Sequence, residues 1–401
     1  MIKWIFILSP FLLLANIQVG VEVFFSEGHD ARLKNKKVAL VTNHTAVDRD
    51  LNLSAHRFTK SVFTLAAIWT PEHGLDGISY AAEKVNNSTF KKVPVLSLHG
   101  EYRRPTPFML KNIDAIVYDI QDIGLRSYTF ASTLYYVMEA AAEKKVPVIV
   151  LDRPNPLSGL LVDGPMMESD FRSFVGYLNV PYAHGMTIGE LAQFFNSEYK
   201  INCDLKVVPM KGWKRWMTFG ETKRKWVPTS PHIPEVDTPL FCAATGILGE
   251  LGIVNIGVGY TLPFKVVGAP WIDADQFATA LNNQKLDGVR FLPFHFRPFY
   301  GLYKAQDCHG VLIDVTNQSA FRPVTTQYMI MGMLKSLYPK PFLERLNQAS
   351  TQRKDLFCKV NGNRQILDLL LKDPYPAWKC ISIDEAKRSQ FMEKRKQYLL
   401  Y

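Results

Sequence analysis

The chain has 401 residues, which is enough for two domains or for one large domain with a substantial appendage. Apolar residues make up 47% of it and charged residues 21%, the ordinary balance of a globular protein, so disorder is not expected. The formal net charge of +10 indicates an acidic partner. No RNA-recognition motif, zinc finger or aromatic-basic array accompanies that charge, so we do not expect the partner to be a nucleic acid. An anionic membrane or an anionic cell-wall glycan is the expected partner.

The N-terminus has the pattern of a leader. A short positive start at Met1–Lys3 precedes an apolar run from Trp4 to Ala15. This run of about 12 residues is too short to span a bilayer, which needs ~20. We therefore predict a signal peptide over residues 1–20, and export to the periplasm or beyond the cell. After cleavage we expect no stable membrane insertion; an uncleaved leader that tethers the protein to the membrane is the alternative.

Five short apolar runs in the first half predict buried strands. They lie at residues 38–42, 62–69, 93–98, 115–119 and 146–151. Continuous apolar runs of this length suit strands that are buried on both faces of a parallel sheet. An alanine- and glutamate-rich helix is predicted over residues 133–145, with lysines at its C-terminal end. Together they predict an α/β fold, with a Rossmann-like, doubly wound parallel sheet over residues 21–190.

The pattern changes from about Val175 onwards. A helix with the capping box Thr187-x-x-Glu190 is predicted over residues 187–199, followed by tryptophan-rich and proline-rich stretches. We predict a second, mixed α/β auxiliary domain over residues 191–401 that packs over the sheet edge and closes a cleft. The basic run at residues 387–396 is predicted to be the solvated face of a final helix.

Polar side chains cluster just after the predicted strands. In open α/β sheets the ligand crevice lies outside the carboxyl ends of the strands. The residues at these positions are Asn43, Glu72, His73, Glu101, Asp119, Asp122, Asp152, Arg153 and Asn155. Residues that served only to solvate the surface would not concentrate at one sheet edge, so we predict an active site there.

The segment Pro71–Gly74 places a carboxylate and an imidazole side by side on a turn, where Gly74 lets the backbone bend. Cleavage of a glycosidic bond needs a carboxylic acid whose raised pKa lets it protonate the leaving oxygen. Partial burial of Glu72 beside a carboxylate such as Asp119 would raise its pKa in this way. Alternatively, Glu72 caps a helix or pairs with Arg103, and composition alone does not decide between these roles.

Three further clusters allow more than one interpretation. Arg103 and Arg104 can clamp a carboxylate or phosphate, or one of them can form a salt bridge with Glu101. The segment from Asp119 to Tyr128 also contains Asp122 and Arg126, and it has the composition of a sugar-binding or acid/base network.

Asp152 and Asn155 lie in a loop that two prolines make rigid. This suits accurate positioning of both side chains, although tight turns use the same residue types.

Several chemistries lack their motifs. There is no GxSxG elbow for a serine esterase and no HExxH for a catalytic metal. The pair Gly257 and Gly259 lacks the third glycine of a dinucleotide fingerprint. We therefore expect no metal and no cofactor.

Long, ordered motifs carry a family resemblance. The succession TNHTAVDRD, PEHGLDG, GEYRRPTPFML, DIQDIGLRSYTF, LDRPNP, HGMTIGEL, VPMKGWKR and PHIPEVDTPL resembles the exo-β-N-acetylmuramidase family of glycoside hydrolases, from about residue 36 to the end. The resemblance implies a Rossmann-like domain, an auxiliary domain and a cleft between them. It also implies hydrolysis of terminal β-linked N-acetylmuramic acid from peptidoglycan fragments.

The resemblance extends to single residues. Glu72 matches the glutamate of the PEHG segment and is predicted to be the general acid. Asp119 or Asp122 is predicted to be a second catalytic group. The predicted substrate-binding residues are Asn43, His73, Glu101, Arg103, Arg126, Tyr128, Asp152 and Asn155.

One segment departs from the family pattern. Members resembling this chain carry two arginines and a glutamate where it has Val258, Leu262 and Ile256. Arginines are natural partners for the lactyl carboxylate of muramic acid. Their replacement implies that other residues hold the sugar acid, such as Arg103, Arg104 or Arg126, or that the substrate differs. The competing prediction is a non-catalytic or broadened-specificity glycan-binding homologue in the cell envelope.

Overall fold

The structure is a computed structural model that describes residues 17–401, so most of the predicted leader lies outside the described residues. The last four leader residues pack on the folded body. Gln18 pairs through its backbone with Lys211, and the Gly20 amide donates a hydrogen bond to the Asp152 carbonyl. Within the described range, no helix is long and apolar enough to cross a membrane.

Across residues 17–401 the chain forms ten strands and thirteen α-helices. The strands are β1 (Lys37–Thr42), β2 (Thr64–Thr70), β3 (Ser88–Phe90), β4 (Val93–Ser97), β5 (Ala115–Asp119), β6 (Val148–Leu151), β7 (Leu205–Val208), β8 (Val266–Ala269), β9 (Val289–Phe296) and β10 (Cys308–Val315). The helices are α1 (Gly20–Ser26), α2 (Ser54–Phe58), α3 (Pro107–Leu110), α4 (Thr129–Lys144), α5 (Ile188–Glu198), α6 (Thr238–Leu251), α7 (Ala274–Asn282), α8 (Pro323–Leu337), α9 (Pro339–Gln348), α10 (Thr351–Asn361), α11 (Gln365–Lys372), α12 (Ala377–Ser382) and α13 (Glu385–Lys394).

The large sheet confirms the predicted doubly wound α/β fold. Its strand order is β3-β4-β2-β1-β5-β6-β7, and the pairs are parallel except for β3 against β4. The five strands that the apolar runs predict are β1, β2, β4, β5 and β6. They are buried because helices cover both faces; every residue of β5, for example, is buried. Their carboxyl ends meet at one edge, which is where the predicted site residues come together.

The second domain confirms the predicted mixed α/β class. Its small antiparallel sheet has the order β8-β10-β9 and packs with α6, α7 and α8 around a separate apolar core. The last strand of the large sheet, β7, lies beyond residue 190, where the sequence places the domain boundary.

The capping box predicted for α5 is present, and it connects to the C-terminus. The Thr187 hydroxyl accepts from the Glu190 amide at 3.3 Å, and the Glu190 carboxylate accepts from the Thr187 amide at 3.0 Å. The same carboxylate accepts from Arg215 and from the Leu400 amide. The predicted solvated face holds for the lysines of the basic run, Lys387, Lys394 and Lys396, which are exposed, but it fails at Arg395, which follows α13 and is buried.

Arg126 ties the two domains together. Its guanidinium donates to the carbonyls of Pro165 and Val180 at 2.7 and 2.6 Å, and to those of Val360 and Asn361, at the end of α10, at 3.0 and 2.6 Å. Burial lowers the pKa of Arg126 to about 10, so the side chain stays charged at neutral pH. A buried cation shared by four carbonyls fixes where the auxiliary domain sits.

Replacement of Arg126 by methionine is expected to destabilise the protein strongly. The substitution leaves buried carbonyls without donors, at about 1–3 kcal/mol for each that water cannot reach, so we expect a loss of at least about 3 kcal/mol. Urea unfolding measures it. As a control, Arg297→Met removes an exposed pair with Asp307 and should cost less than about 1 kcal/mol. Equal losses in both variants would contradict the role given to Arg126.

Candidate active site

Glu72 lies just beyond β2, on a turn with unusual backbone geometry. His73 and Gly74 both adopt positive φ, at 72° and 82°, and so reverse the chain immediately after the carboxylate. A left-handed conformation costs a non-glycine residue about 1 kcal/mol or more and often marks a functional site. His73 is held there because its Nδ1 donates to the Ser79 carbonyl at 2.7 Å.

The carboxylate of Glu72 is only 7% exposed and is fully engaged. Its Oε1 accepts from the Ala82 amide at 2.7 Å, and its Oε2 accepts from the Thr129 hydroxyl at 2.5 Å. The Nε2 of His99 lies 3.5 Å from Oε1. Thr129 begins α4, whereas Ala82 belongs to a loop of residues 74–87, named here the covering loop, that screens Glu72 from solvent.

The charge of Glu72 is set by opposing effects. Burial raises its pKa, whereas the hydrogen bonds from Thr129 and Ala82 and the nearby His99 lower it. The lowering effects are together larger, so the pKa lies below the ordinary value. The sequence interpretation predicted a raised pKa, and for the substrate-free protein that is wrong. The donors that stabilise the charged form outweigh desolvation.

Histidines cluster around the turn that carries Glu72 and His73. Beside the predicted His73, the structure brings in His44, His99 and His232, and burial lowers the pKa of all three, so they are neutral at pH 7. The covering loop packs against His44: Gly77 has φ 74°, and a Cβ there would lie 2.1 Å from the His44 ring. The sequence analysis missed His44 and His99, although each follows a strand as Glu72 does.

Asp119 is part of a buried ion pair. Arg153 binds it through two nitrogens, at 2.5 and 3.0 Å, and the Ser54 hydroxyl donates to it at 2.5 Å. Both carboxylate oxygens are therefore occupied, and Asp119 is fully buried. Its catalytic role stays a prediction that this geometry does not favour.

Asp122 has a different environment. Its Oδ2 accepts from the Gly124 amide at 2.8 Å, while its Oδ1 has no hydrogen-bond partner among the described residues. Burial raises its pKa to about 7, against the backbone hydrogen bonds from Gly124 and Ile123. Asp122 is therefore partly protonated at neutral pH, which suits a group that gives or takes a proton there.

Asp152 and Asn155 stabilise the loops around them. Asp152 accepts from the hydroxyls of Thr187 and Tyr401, both at 2.7 Å, and burial raises its pKa to about 6. The side-chain amide of Asn155 donates to the Met186 carbonyl at 2.9 Å. Both are buried in internal hydrogen bonds, and a substrate contact for either stays a prediction.

Asn43 and Tyr128 lie at the same edge. The Oδ1 of Asn43 accepts from the amide and hydroxyl of Thr45, but in residues 17–401 its buried Nδ2 has no partner. Tyr128 donates to the Thr229 hydroxyl at 2.9 Å and so connects the sheet edge to the auxiliary side. The free donor of Asn43 makes it the better candidate for a ligand contact.

The remaining predicted binding residues, Arg103, Glu101 and Arg126, lie in three different surroundings. Arg103 stacks over the Phe174 ring at 4.2 Å, and that ring lies 5.7 Å from the His99 ring, so Arg103 is close to the Glu72 cluster. Glu101 is exposed on the surface. Arg126, bonded to four backbone carbonyls, holds the fold together, and its predicted substrate contact is not favoured.

A cleft of about 670 Å³ opens beside the covering loop. Ala81 and His232 line it on one side, and residues of the auxiliary domain between 246 and 353 form the rest of its lining. The Tyr80 ring lies 6.5 Å from the His232 ring, and the Nε2 of His232 lies 2.9 Å from the Tyr300 hydroxyl, so aromatic groups form one rim. Glu72 lies behind the covering loop. A sugar in the cleft therefore reaches it only if that loop moves.

Replacement of Asp122 by asparagine is expected to weaken the pH dependence of stability. The folded state keeps a proton up to about pH 7, whereas an unfolded aspartate loses it near pH 4. The free energy of unfolding of the wild type should therefore fall as the pH rises between these values, by up to roughly 1.4 kcal/mol per pH unit. The variant, measured by urea unfolding, should have a slope shallower by the contribution of this one proton, and part of the slope should remain because Asp152, with a pKa of about 6, acts in the same direction.

The exposed Asp170 provides the control, since Asp170→Asn should reproduce the wild-type slope. Parallel curves for the wild type and Asp122→Asn would show that Asp122 ionises normally.

Comparisons with known proteins identify the family of the chain. The family models Exo-beta-N-acetylmuramidase NamZ, N-terminal, and Exo-beta-N-acetylmuramidase NamZ, C-terminal, match residues 38–237 and 240–401. The chain is 38% identical over 389 residues, 96% of its length and 92% of the relative's, to the peptidoglycan beta-N-acetylmuramidase NamZ of Bacillus subtilis (strain 168).

Two crystal structures of DUF1343 family proteins from Bacteroides fragilis NCTC 9343 have the same fold. One has a TM-score of 0.90 and 39% identity, and the other 0.74 and 26%; each comparison covers 96% of this chain and 99% of the other. Both halves of the chain match one family, and the relatives are covered almost completely. The chain therefore belongs to the exo-β-N-acetylmuramidase NamZ family, as its motifs predict.

Proposed function

We propose that the protein releases terminal β-linked N-acetylmuramic acid from peptidoglycan fragments, as an exported glycosidase of the cell envelope. The observation that carries the proposal is Glu72, a buried carboxylate at the ligand edge of the sheet, behind a loop whose Ala81 lines a sugar-sized cleft. The relative from Bacillus subtilis, at 38% identity, is named a peptidoglycan beta-N-acetylmuramidase. The net charge of +10 suits an anionic wall polymer, and export follows from the predicted leader.

Glu72 acts in this proposal as the general acid, so it must gain a proton when substrate binds. Movement of the covering loop breaks the hydrogen bond from Ala82, which is one of the contacts that lower the pKa of Glu72. Exclusion of water by the sugar and the approach of its carboxylate raise the pKa further. Substrate binding thus converts an ionised glutamate into a proton donor for the leaving oxygen.

Asp122 is the second group that we favour, ahead of Asp119. Its Oδ1 is without a partner in the described chain, whereas Asp119 has both oxygens bound by Arg153 and Ser54. With a pKa of about 7, Asp122 exchanges a proton near neutral pH and can alternate between acid and base during a reaction cycle.

Glu72→Gln is expected to abolish hydrolysis and to leave the thermal transition nearly unchanged. General acid catalysis contributes roughly 10²–10⁴ in rate, and the amide keeps the shape of the side chain. The measurement is mass spectrometry of the sugar released from a muramic acid–glucosamine disaccharide. Glu393→Gln, which removes an exposed carboxylate paired with Lys396, is the control and should retain full activity.

If Glu72→Gln kept more than about a tenth of the wild-type rate, Glu72 would not be the acid, and Asp122 would take its place. If the wild type bound the disaccharide but released no sugar, the competing function, a non-catalytic glycan-binding homologue, would be correct.

The protein is expected to act without added metal or nicotinamide. The sequence has no HExxH motif and no complete dinucleotide fingerprint. In the part of the chain that the structure describes, no group of three or more His, Cys, Asp or Glu side chains is arranged to hold a metal ion. The rate after dialysis against a chelator should equal the starting rate. A loss that a divalent ion restores would contradict the expectation.

A further inference from the structure

The cleft beside the covering loop has an apolar part and a cationic part. Ile256, Val258 and Phe264 form apolar lining near the second-domain core. Arg345 on α9 and Arg353 on α10 line the same cleft. Both arginines are exposed, and neither lies within ion-pair distance of an acidic side chain in residues 17–401.

Arg345 is oriented by its neighbours. Its guanidinium lies 5.1 Å from the centroid of the Tyr303 ring. That ring is itself fixed, because the Tyr303 hydroxyl donates to the Ile253 carbonyl at 2.8 Å and accepts from Trp271 at 3.1 Å. Contact with a fixed ring restricts where the guanidinium lies and leaves its N–H groups available to a ligand.

Arg353 is anchored at one nitrogen only. Its Nη1 donates to the Glu250 carbonyl at 3.1 Å. The same group packs on Gly252, where a Cβ would lie 2.8 Å from Nη1 and where φ is 64°. One anchored nitrogen positions the guanidinium and leaves its other N–H groups free to donate.

The charge of the lining is positive overall. Its acidic member is Glu250, and burial raises the pKa of that carboxyl, against the lowering effect of Arg353. The imidazole of His232 is neutral at pH 7, since burial lowers its pKa. Two positioned guanidinium groups in a partly enclosed cleft create a site for an anion, and planar guanidinium matches a carboxylate.

We propose that Arg345 and Arg353 bind a carboxylate of the glycan substrate in this cleft and thereby favour an acidic amino sugar over a neutral one. The inference rests on the proposed function, because it assigns the cleft to the substrate of Glu72. Ala81 lines the cleft and is the neighbour of Ala82, whose amide covers Glu72. A sugar whose glycosidic bond reaches Glu72 therefore extends its substituents towards the cleft.

Of the arginines suggested by the sequence, Arg103 lies over Phe174 near the Glu72 cluster and does not line the cleft, and the other two are already engaged. Arg126 is bonded to backbone carbonyls, and Arg104 pairs with Glu143 on the surface. In the segment that departs from the family pattern, Val258 lines the cleft, whereas Leu262 packs against the core of the auxiliary domain. The cationic groups that share the cleft with Val258 are thus those of α9 and α10.

The test compares kcat/KM for matched β-glycosides of N-acetylmuramic acid and N-acetylglucosamine. In Arg345→Gln/Arg353→Gln the preference for muramic acid should fall by roughly 10- to 100-fold, with the glucosamine rate unchanged. Arg364→Gln, an exposed arginine outside the cleft, is the matched control. Val258→Arg in the double variant should restore part of the preference, which a folding defect would not allow.

Further substrates identify the source of the carboxylate. If the two arginines bind the lactyl carboxylate, converting that carboxylate to an amide should lower kcat/KM of the wild type by the same roughly 10- to 100-fold factor. The same change of substrate should not lower kcat/KM of the double variant any further. If the carboxylate belongs to a stem peptide, a lactyl-linked peptide with a free C-terminus should keep the preference and its C-terminal amide should lose it. Unchanged selectivity of the double variant on all these substrates would overturn the inference.

Failure of the proposed function gives a different result. If the wild type cleaves no substrate, calorimetry with free N-acetylmuramic acid and N-acetylglucosamine still tests the cleft. Arg364→Gln should then bind the acidic sugar as the wild type does, and the double arginine variant should bind it at least about 10-fold more weakly. Equal binding of the acidic sugar by the wild type and the double variant would again overturn the inference.

Discussion

The hydrogen bonds that satisfy the buried carboxylate of Glu72 are the constraint on which the rest of the site depends. An ionised carboxylate removed from water is unfavourable unless donors replace its hydration. Here the donors are the Thr129 hydroxyl, on the first turn of a packed helix, and the Ala82 amide, in the covering loop. Because one donor belongs to a loop, access to Glu72 and the charge of Glu72 are coupled. A ligand that displaces the loop also changes the pKa of the carboxyl group.

The other polar residues of this sheet edge form two groups. In one group the polar atoms already have hydrogen-bond partners in the described part of the protein, and in the other some of them do not. Both oxygens of Asp119 accept from side chains, and those of Asp152 accept from a side chain and a backbone amide, so these two residues hold adjacent loops in place. In contrast, Asn43 Nδ2, His99 Nδ1 and Asp122 Oδ1 are buried without a partner in the described range. Buried polar atoms are nearly always paired in native proteins. Unpaired atoms at this sheet edge, such as Nδ1 of His99 beside Glu72, therefore indicate where the polar groups of a ligand bind.

The sequence predicts the sheet well and the electrostatics of the site poorly. Continuous apolar runs identify β1, β2, β4, β5 and β6, and the strand-end rule brings Asn43 and Glu72 to one edge. The short strands β3 and β7 have no such run, since both are partly exposed. The sign of the Glu72 pKa shift depends on donors 10 and 57 residues away, which no local pattern reveals. Arg345 and Arg353 were missed because they belong to helices, where the strand-end rule gives no information.

The net charge of +10 also has a different meaning once the fold is known. Several of the arginines that contribute to it are buried and bind groups of the protein itself: Arg126 and Arg395 bind carbonyls, and Arg153 and Arg215 bind Asp119 and Glu190. These cations stabilise the fold, and their N–H donors are occupied by groups of the protein itself. An anionic ligand responds instead to cations that are positioned and uncompensated. Attraction for an acidic glycan therefore depends less on the total charge than on the few guanidinium groups whose N–H donors face the cleft.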